Sequence, residues 1–211
     1  MTTFPISLKS DIARIAMLAL AYYIAARLGD RLALSGGIVT LFWPPPGIAL
    51  AAMLIYGRRL WPGVFVGAFF ATLPVGFPPW VAAAVALGNV AALLFATFLL
   101  RRQAGFNRDL DSVQDVLRLV IFGALISTVI SAVNNAFWLQ WFDLQPYGQE
   151  YGKTLLHIWM GDALGIVLFT PALIAFYRPD TLQWTPTLRR SALLMYIALF
   201  VMCLLVFTDI D

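Results

Sequence analysis

Val81-Ala-Ala-Ala-Val-Ala-Leu87 lies inside a stretch, residues 79–100, that is apolar at almost every position and ends on Arg101 and Arg102. A transmembrane helix takes about 20 apolar residues, whereas a barrel strand shows about ten residues of alternating polarity. Seven consecutive apolar residues leave no alternation, so the stretch reads as a helix in lipid. Runs of the same character cover 11–34, 38–56, 60–75, 113–138, 154–177 and 190–208, and the expected fold is an all-α integral membrane bundle of about seven helices.

Composition agrees. The 211 residues are 61% hydrophobic and 12% charged, against about 45–50% apolar and about 25% charged in soluble domains. Seven spans use roughly 140 positions, which leaves no room for a soluble catalytic domain. The net charge of +3 comes without the clustered basic groove that nucleic acid requires. Cys203 and His157, the single Cys and single His, cannot fill a structural zinc site or form an internal disulfide. No metal or cofactor is expected.

Lys9 and Arg14 precede the first apolar run as in a signal peptide, yet the run is long and meets Arg27 and Asp30 at its far end, so it reads as a retained helix. Arg58 and Arg59, then Arg101, Arg102 and Arg108, then Arg178, Arg189 and Arg190 fall in connections on the same side as the N-terminus. The positive-inside rule makes that side cytoplasmic. Seven spans would leave Asp211 outside the cell, which implies a missing eighth helix. No linker divides the chain, so residues 1–211 read as one domain. Asp111 and Ser112 mark a helix start, with Asp115 in its first turn.

Two features depart from membrane filler. Trp43-Pro44-Pro45-Pro46-Gly47 interrupts the second span; residues 43–45 are expected to be extended, with the helix restarting near Pro46. From there to Arg58 is about 18 Å of helix, short of a core of about 30 Å. The restarted helix then begins inside the outer half of the membrane, where exposed N–H groups could serve a cavity for something acidic or polar. The alternative is a kinked helix whose start sits at the interface with Trp43 as a belt residue.

Asp162, in Trp159-Met-Gly-Asp162-Ala-Leu-Gly165, stands roughly 24 Å of helix from Arg178. An ionisable group within a span marks either a functional site or a structural pair or cap. Arg27 and Asn89 share its depth, each about 18–20 Å from the cytoplasmic side. Arg27 is the first cation to propose as its partner, unless it snorkels to the headgroups. His157, one turn from Asp162, could titrate or bind haem, or hydrogen-bond at the interface. Asn134 and Asn135 suit bonds between helices, and Gly161 with Gly165 suits close helix approach.

Trp43-Pro-Pro-Pro-Gly-Ile-Ala-Leu50, Gly57-Arg-Arg-Leu-Trp-Pro-Gly63, Gly88-Asn89, Leu99-Leu-Arg-Arg102, Asp115-Val-Leu-Arg118 and Trp159-Met-Gly-Asp-Ala-Leu-Gly165 with Pro171 occur in that order. The ordered set, spanning about residues 40 to 175, resembles the first class of bacterial membrane-associated sensor domains. That resemblance implies an inner-membrane input domain of about eight helices. Such domains precede cytoplasmic diguanylate cyclase, cyclic-di-GMP phosphodiesterase or histidine kinase modules and dimerise through them. This chain departs from the pattern by ending without an output module, as expected of a truncated polypeptide.

The leading expectation is a noncatalytic sensor that binds a small ligand or a membrane protein partner. Its site residues would be Trp43, Pro44, Pro45, Gly47, Asn89, Trp159, Asp162, Arg27 and His157. A small-solute transporter or channel is the runner-up, since broken helices and intramembrane carboxylates occur there. An intramembrane enzyme comes third, because one Asp beside one His is a poor acid–base set.

Overall fold

The computed structural model describes residues 8–32, 43–110, 112–144 and 150–177, and their regular elements are all helical. They are α1 (Leu8–Leu32), α2 (Pro45–Tyr56), α3 (Trp61–Thr72), α4 (Pro79–Arg102), α5 (Val113–Arg118), α6 (Thr128–Trp141) and α7 (Tyr151–Tyr177). A π-wound stretch, Leu119–Ile126, joins α5 to α6, so Val113–Trp141 runs as one rod and the described chain forms six rods. Four of them, α1, α4, the Val113–Trp141 rod and α7, are long and apolar enough to cross a membrane.

The expected seven helices are not reached among the described residues. The run at 190–208 lies outside them, together with Cys203, the Arg178, Arg189 and Arg190 connection, and Asp211. The second and third runs form helices of only 12 residues each, about 18 Å long. Prolines delimit both: α2 begins at Pro45, and α3 gives way to a 3₁₀ turn, Leu73–Val75, around Pro74.

Pro45 to Tyr56 contains no charged side chain, and a helix apolar on every side belongs in a core. The shortest route to burial is the bundle centre, and α2 lies there, packed against α1, α4 and α7 with Ala49, Leu50, Met53 and Leu54 fully enclosed. Around it α1 packs on α3, α3 on α4, α4 on α6 and α6 on α7. On α1, Leu18, Tyr22, Ala25 and Ala26 face inward while Met17, Leu20, Ile24 and Leu28 are exposed. An apolar outer stripe of this length is a lipid-facing surface, since water would penalise it.

The two ends differ in chemistry. At one, Arg59 pairs with Asp11 at 3.2 Å and Arg14 stacks over Tyr56 at 4.7 Å. There Ser112 caps α5 as its sequence predicts: its Oγ accepts from the Asp115 N–H at 3.1 Å and donates to the Asp115 carboxylate at 2.7 Å. Gly57, at φ 107°, makes the sharp α2–α3 turn on the same side, a backbone region that side chains disfavour. At the other end Trp80 meets Trp138 edge-on at 5.5 Å and Phe77 meets Phe142 at 5.8 Å, an aromatic girdle suited to the membrane interface.

Candidate functional site

The start of α2 is seated on α7. Trp43 N–H donates to the Gly161 carbonyl at 3.4 Å, and Thr170 Oγ donates to the Gly47 carbonyl at 3.0 Å. Gly165 lies against the Trp43 carbonyl so closely that a Cβ there would collide with it, and a Cβ on Gly47 would collide with the Gly165 carbonyl. The glycine pair of α7 therefore serves backbone-to-backbone contact with the broken segment.

Two expectations about this segment are corrected. Pro44 and Pro45 are not extended but helical, Pro44 at φ −64° and ψ −32°, and the helix expected near Pro46 begins at Pro45. The proline ring's fixed φ already suits a helix, and the Pro44 carbonyl accepts the first helical bond from Ile48 N–H at 3.2 Å. The helix start also offers little to an acidic ligand. Helices normally expose four unpaired N–H groups at this end, but Pro44, Pro45 and Pro46 have none, and Gly47 is pressed onto α7.

Beside this junction a cavity of about 120 Å³ opens among α1, α3, α4, α6, α7 and Trp43. Asp162, 3% exposed, lines it, as do Asp30, Asn89, Asn135, Tyr22 and Thr72, with apolar walls from residues such as Val85 and Leu139. Ser131 Oγ donates to one Asp162 oxygen at 2.5 Å and also contacts the Thr128 carbonyl at 2.9 Å. Asn135 donates to Asn89 at 3.4 Å and Asn134 to the Ala84 carbonyl at 3.2 Å, bonds between helices as the sequence suggests. A second, water-sized crevice reaches from Asp162, Asn89 and Tyr22 toward Gly123, Ser127 and Thr128 in and beside the π-wound stretch. Asp162 thus borders both spaces.

The remaining candidates sit elsewhere. Arg27 does not pair with Asp162: its guanidinium binds Asp30, one turn along the same helix, where a partner is reached without crossing the bundle. Trp159 donates its indole N–H to the Leu125 carbonyl at 2.8 Å, holding the π-wound stretch rather than lining the cavity. His157 is half-buried on α7 outside the cavity lining, and no group of three His, Cys, Asp or Glu converges among the described residues. Pro44, Pro45 and Gly47 shape the site by packing and do not line the larger cavity.

Tyr22, Asp30 and Ser131 belong to the cavity walls or to Asp162 itself and were not singled out by sequence. The signals were present as helical spacings: Tyr22, Ala26 and Asp30 share one face of α1, and Thr128, Ser131 and Asn135 form a polar stripe inside an apolar run.

A family model described as MASE1 matches residues 15–210. The chain belongs to the MASE1 family. MASE1 is a membrane sensor domain, a sensory input module and not a catalytic one. No curated protein and no solved structure matches this chain. The MASE1 match covers all the described rods except the first seven residues of α1, and takes in every residue that lines the cavity. Its helices place this MASE1 domain in contact with the lipid bilayer as a multi-pass protein.

Proposed function

We propose that this MASE1 domain senses by ligand occupancy of the cavity at Asp162, and that occupancy changes how the Val113–Trp141 rod and α2 pack on α7. The observation that carries this reading is the placement of Asp162. It is a buried carboxylate whose described hydrogen bond comes from a rod containing a π-wound stretch, and it borders both the cavity lined by Trp43 and the crevice lined by Pro46 at the α2 start. A ligand shifts a conformational equilibrium only by binding one state better. Contact with Asp162 supplies that difference, because it competes with Ser131 for the carboxylate.

The domain acts as a single transmembrane unit in the bacterial inner membrane, N-terminus inside, and regulates a cytoplasmic output module of the same polypeptide. That output is cyclic-di-GMP turnover or a histidine kinase, dimerised through its own domain. The gathering of Arg14, Arg59 and Arg118 at the end opposite the tryptophans supports this orientation. Trp43, Asn89 and Asp162 are the ligand-contacting residues, while Pro44, Pro45, Gly47 and Trp159 transmit.

The test uses the full-length parent. Asp162→Asn and the cavity-filling Val85→Phe, both present in the membrane at parental level, should each abolish the change of output on stimulation. A parental response in both variants refutes the reading. The transporter alternative draws on one observation, the half-length α2 beside a buried carboxylate, and would be favoured by substrate-dependent flux in liposomes.

A further inference from the structure

We infer that the Asp162 cavity takes a small organic cation, an alkylammonium group whose N–H donates to Asp162 while its hydrocarbon lies against the apolar walls. This rests on the cavity being the sensory site.

Charge decides first. The titratable groups with ionic side chains that line the cavity are Asp30 and Asp162, both carboxylates, and no Lys, Arg or His is among its lining residues. Arg27, one turn from Asp30 on the same helix, is taken up by it. The proline-built start of α2 removes the N–H groups that would otherwise receive an anion. A carboxylate or phosphate entering here would face Asp162 in a poorly polarisable medium, where like charges repel strongly.

Asp162 also distinguishes a cation from a neutral guest. It is almost wholly buried, and Ser131 holds one oxygen only. Asp162 itself lines the cavity, so a guest there meets the carboxylate directly. A buried carboxylate short of partners at membrane depth is costly, and an opposite charge relieves it more than a neutral donor does. Tyr22, Trp43 and Phe77 in the same lining suit an ammonium group flanked by aromatic rings.

Size limits the guest. A cavity of about 150 Å³ holds benzene, so the 120 Å³ here suits a guest of about five heavy atoms. The experiment titrates n-butylammonium, 1-butanol and butyrate into the purified chain in nanodiscs, reading thermal stability by tryptophan fluorescence. The ammonium compound should bind at least about tenfold more tightly than the alcohol, a gap of about 1.4 kcal/mol, and butyrate should be weakest. Asp162→Asn should bring the amine-to-alcohol ratio close to one.

Equal or better binding of the alcohol or of butyrate overturns the proposal, as does no amine binding or an unchanged ratio in Asp162→Asn. If that variant does not fold, the ratio in the parental sequence decides. The two readings fail separately. An amine that binds without altering the parent's output removes the sensory role and leaves the ligand class, whereas an output response to butyrate, lost in Val85→Phe, does the reverse.

Discussion

Replacing Gly47 by Ala tests the seat of the broken helix on α7. The added Cβ would lie 2.7 Å from the Gly165 carbonyl carbon and 2.8 Å from Phe169 Cβ, and still nearer the Gly165 oxygen. Overpacking costs about 1–3 kcal/mol, and obstruction by backbone on a neighbouring helix belongs at the upper end. Separating the helices also strains the Thr170 bond to the Gly47 carbonyl, worth about 1 kcal/mol. Alanine returns about 1 kcal/mol of helix propensity, so the net loss is about 3 kcal/mol. Gly152→Ala is the control, since nothing lies within 4 Å of its Cβ; it should be neutral or gain about 0.5 kcal/mol. The measurement is unfolding by sodium dodecyl sulfate in mixed micelles, followed by tryptophan fluorescence. If Gly47→Ala unfolds at the same detergent fraction as Gly152→Ala, the described α2–α7 contact is wrong.

Ser131→Ala should cost about 1–3 kcal/mol in the same assay, because Asp162 loses its described donor while staying buried. Trp159→Phe leaves the Leu125 carbonyl without its indole and should cost about 1 kcal/mol; hydrogen exchange should speed up across 119–126 and remain unchanged in α4. Asp115→Ala removes the acceptor for Asn107 N–H, Ser112 and Arg118 together. It should lower stability by about 2 kcal/mol and open the 103–110 connection to protease. Asn135→Ala should cost only about 0.6 kcal/mol, the scale of bonds between membrane helices, while weakening amine binding.

The amino-acid pattern revealed depth well and direction poorly. Rise per residue brought Asp162, Asn89 and the α2 start into one slab, and the small crevice lined by Pro46, Asn89 and Asp162 joins them there. Whether Arg27 crosses to Asp162 depends on rotation about each axis, and a partner one turn away on α1 was closer. Ser131 escaped notice because a hydroxyl in an apolar run satisfies itself on its own helix, as Thr128 does on the Ala124 carbonyl. The π winding at Leu119–Ile126 leaves no mark on a strongly apolar stretch, where no polar face exists to show a change of period. Pro44 shows a different limit. Restrictions on the residue before proline point away from a helix, yet burial among α7 backbone and a carbonyl partner outweigh them.

The π-wound stretch gives the rod a stored turn. Closing each ring five residues apart instead of four accommodates one residue more than an α-helix would. Were it to relax to the tighter winding, the segment from Val113 to Arg118 would swivel by about 100°, the angle one residue subtends. Three side chains latch the present winding, Ser127 on the Phe122 carbonyl, Thr128 on that of Ala124 and Trp159 on that of Leu125. Such a relaxation would turn whatever adjoins the charged end of the rod.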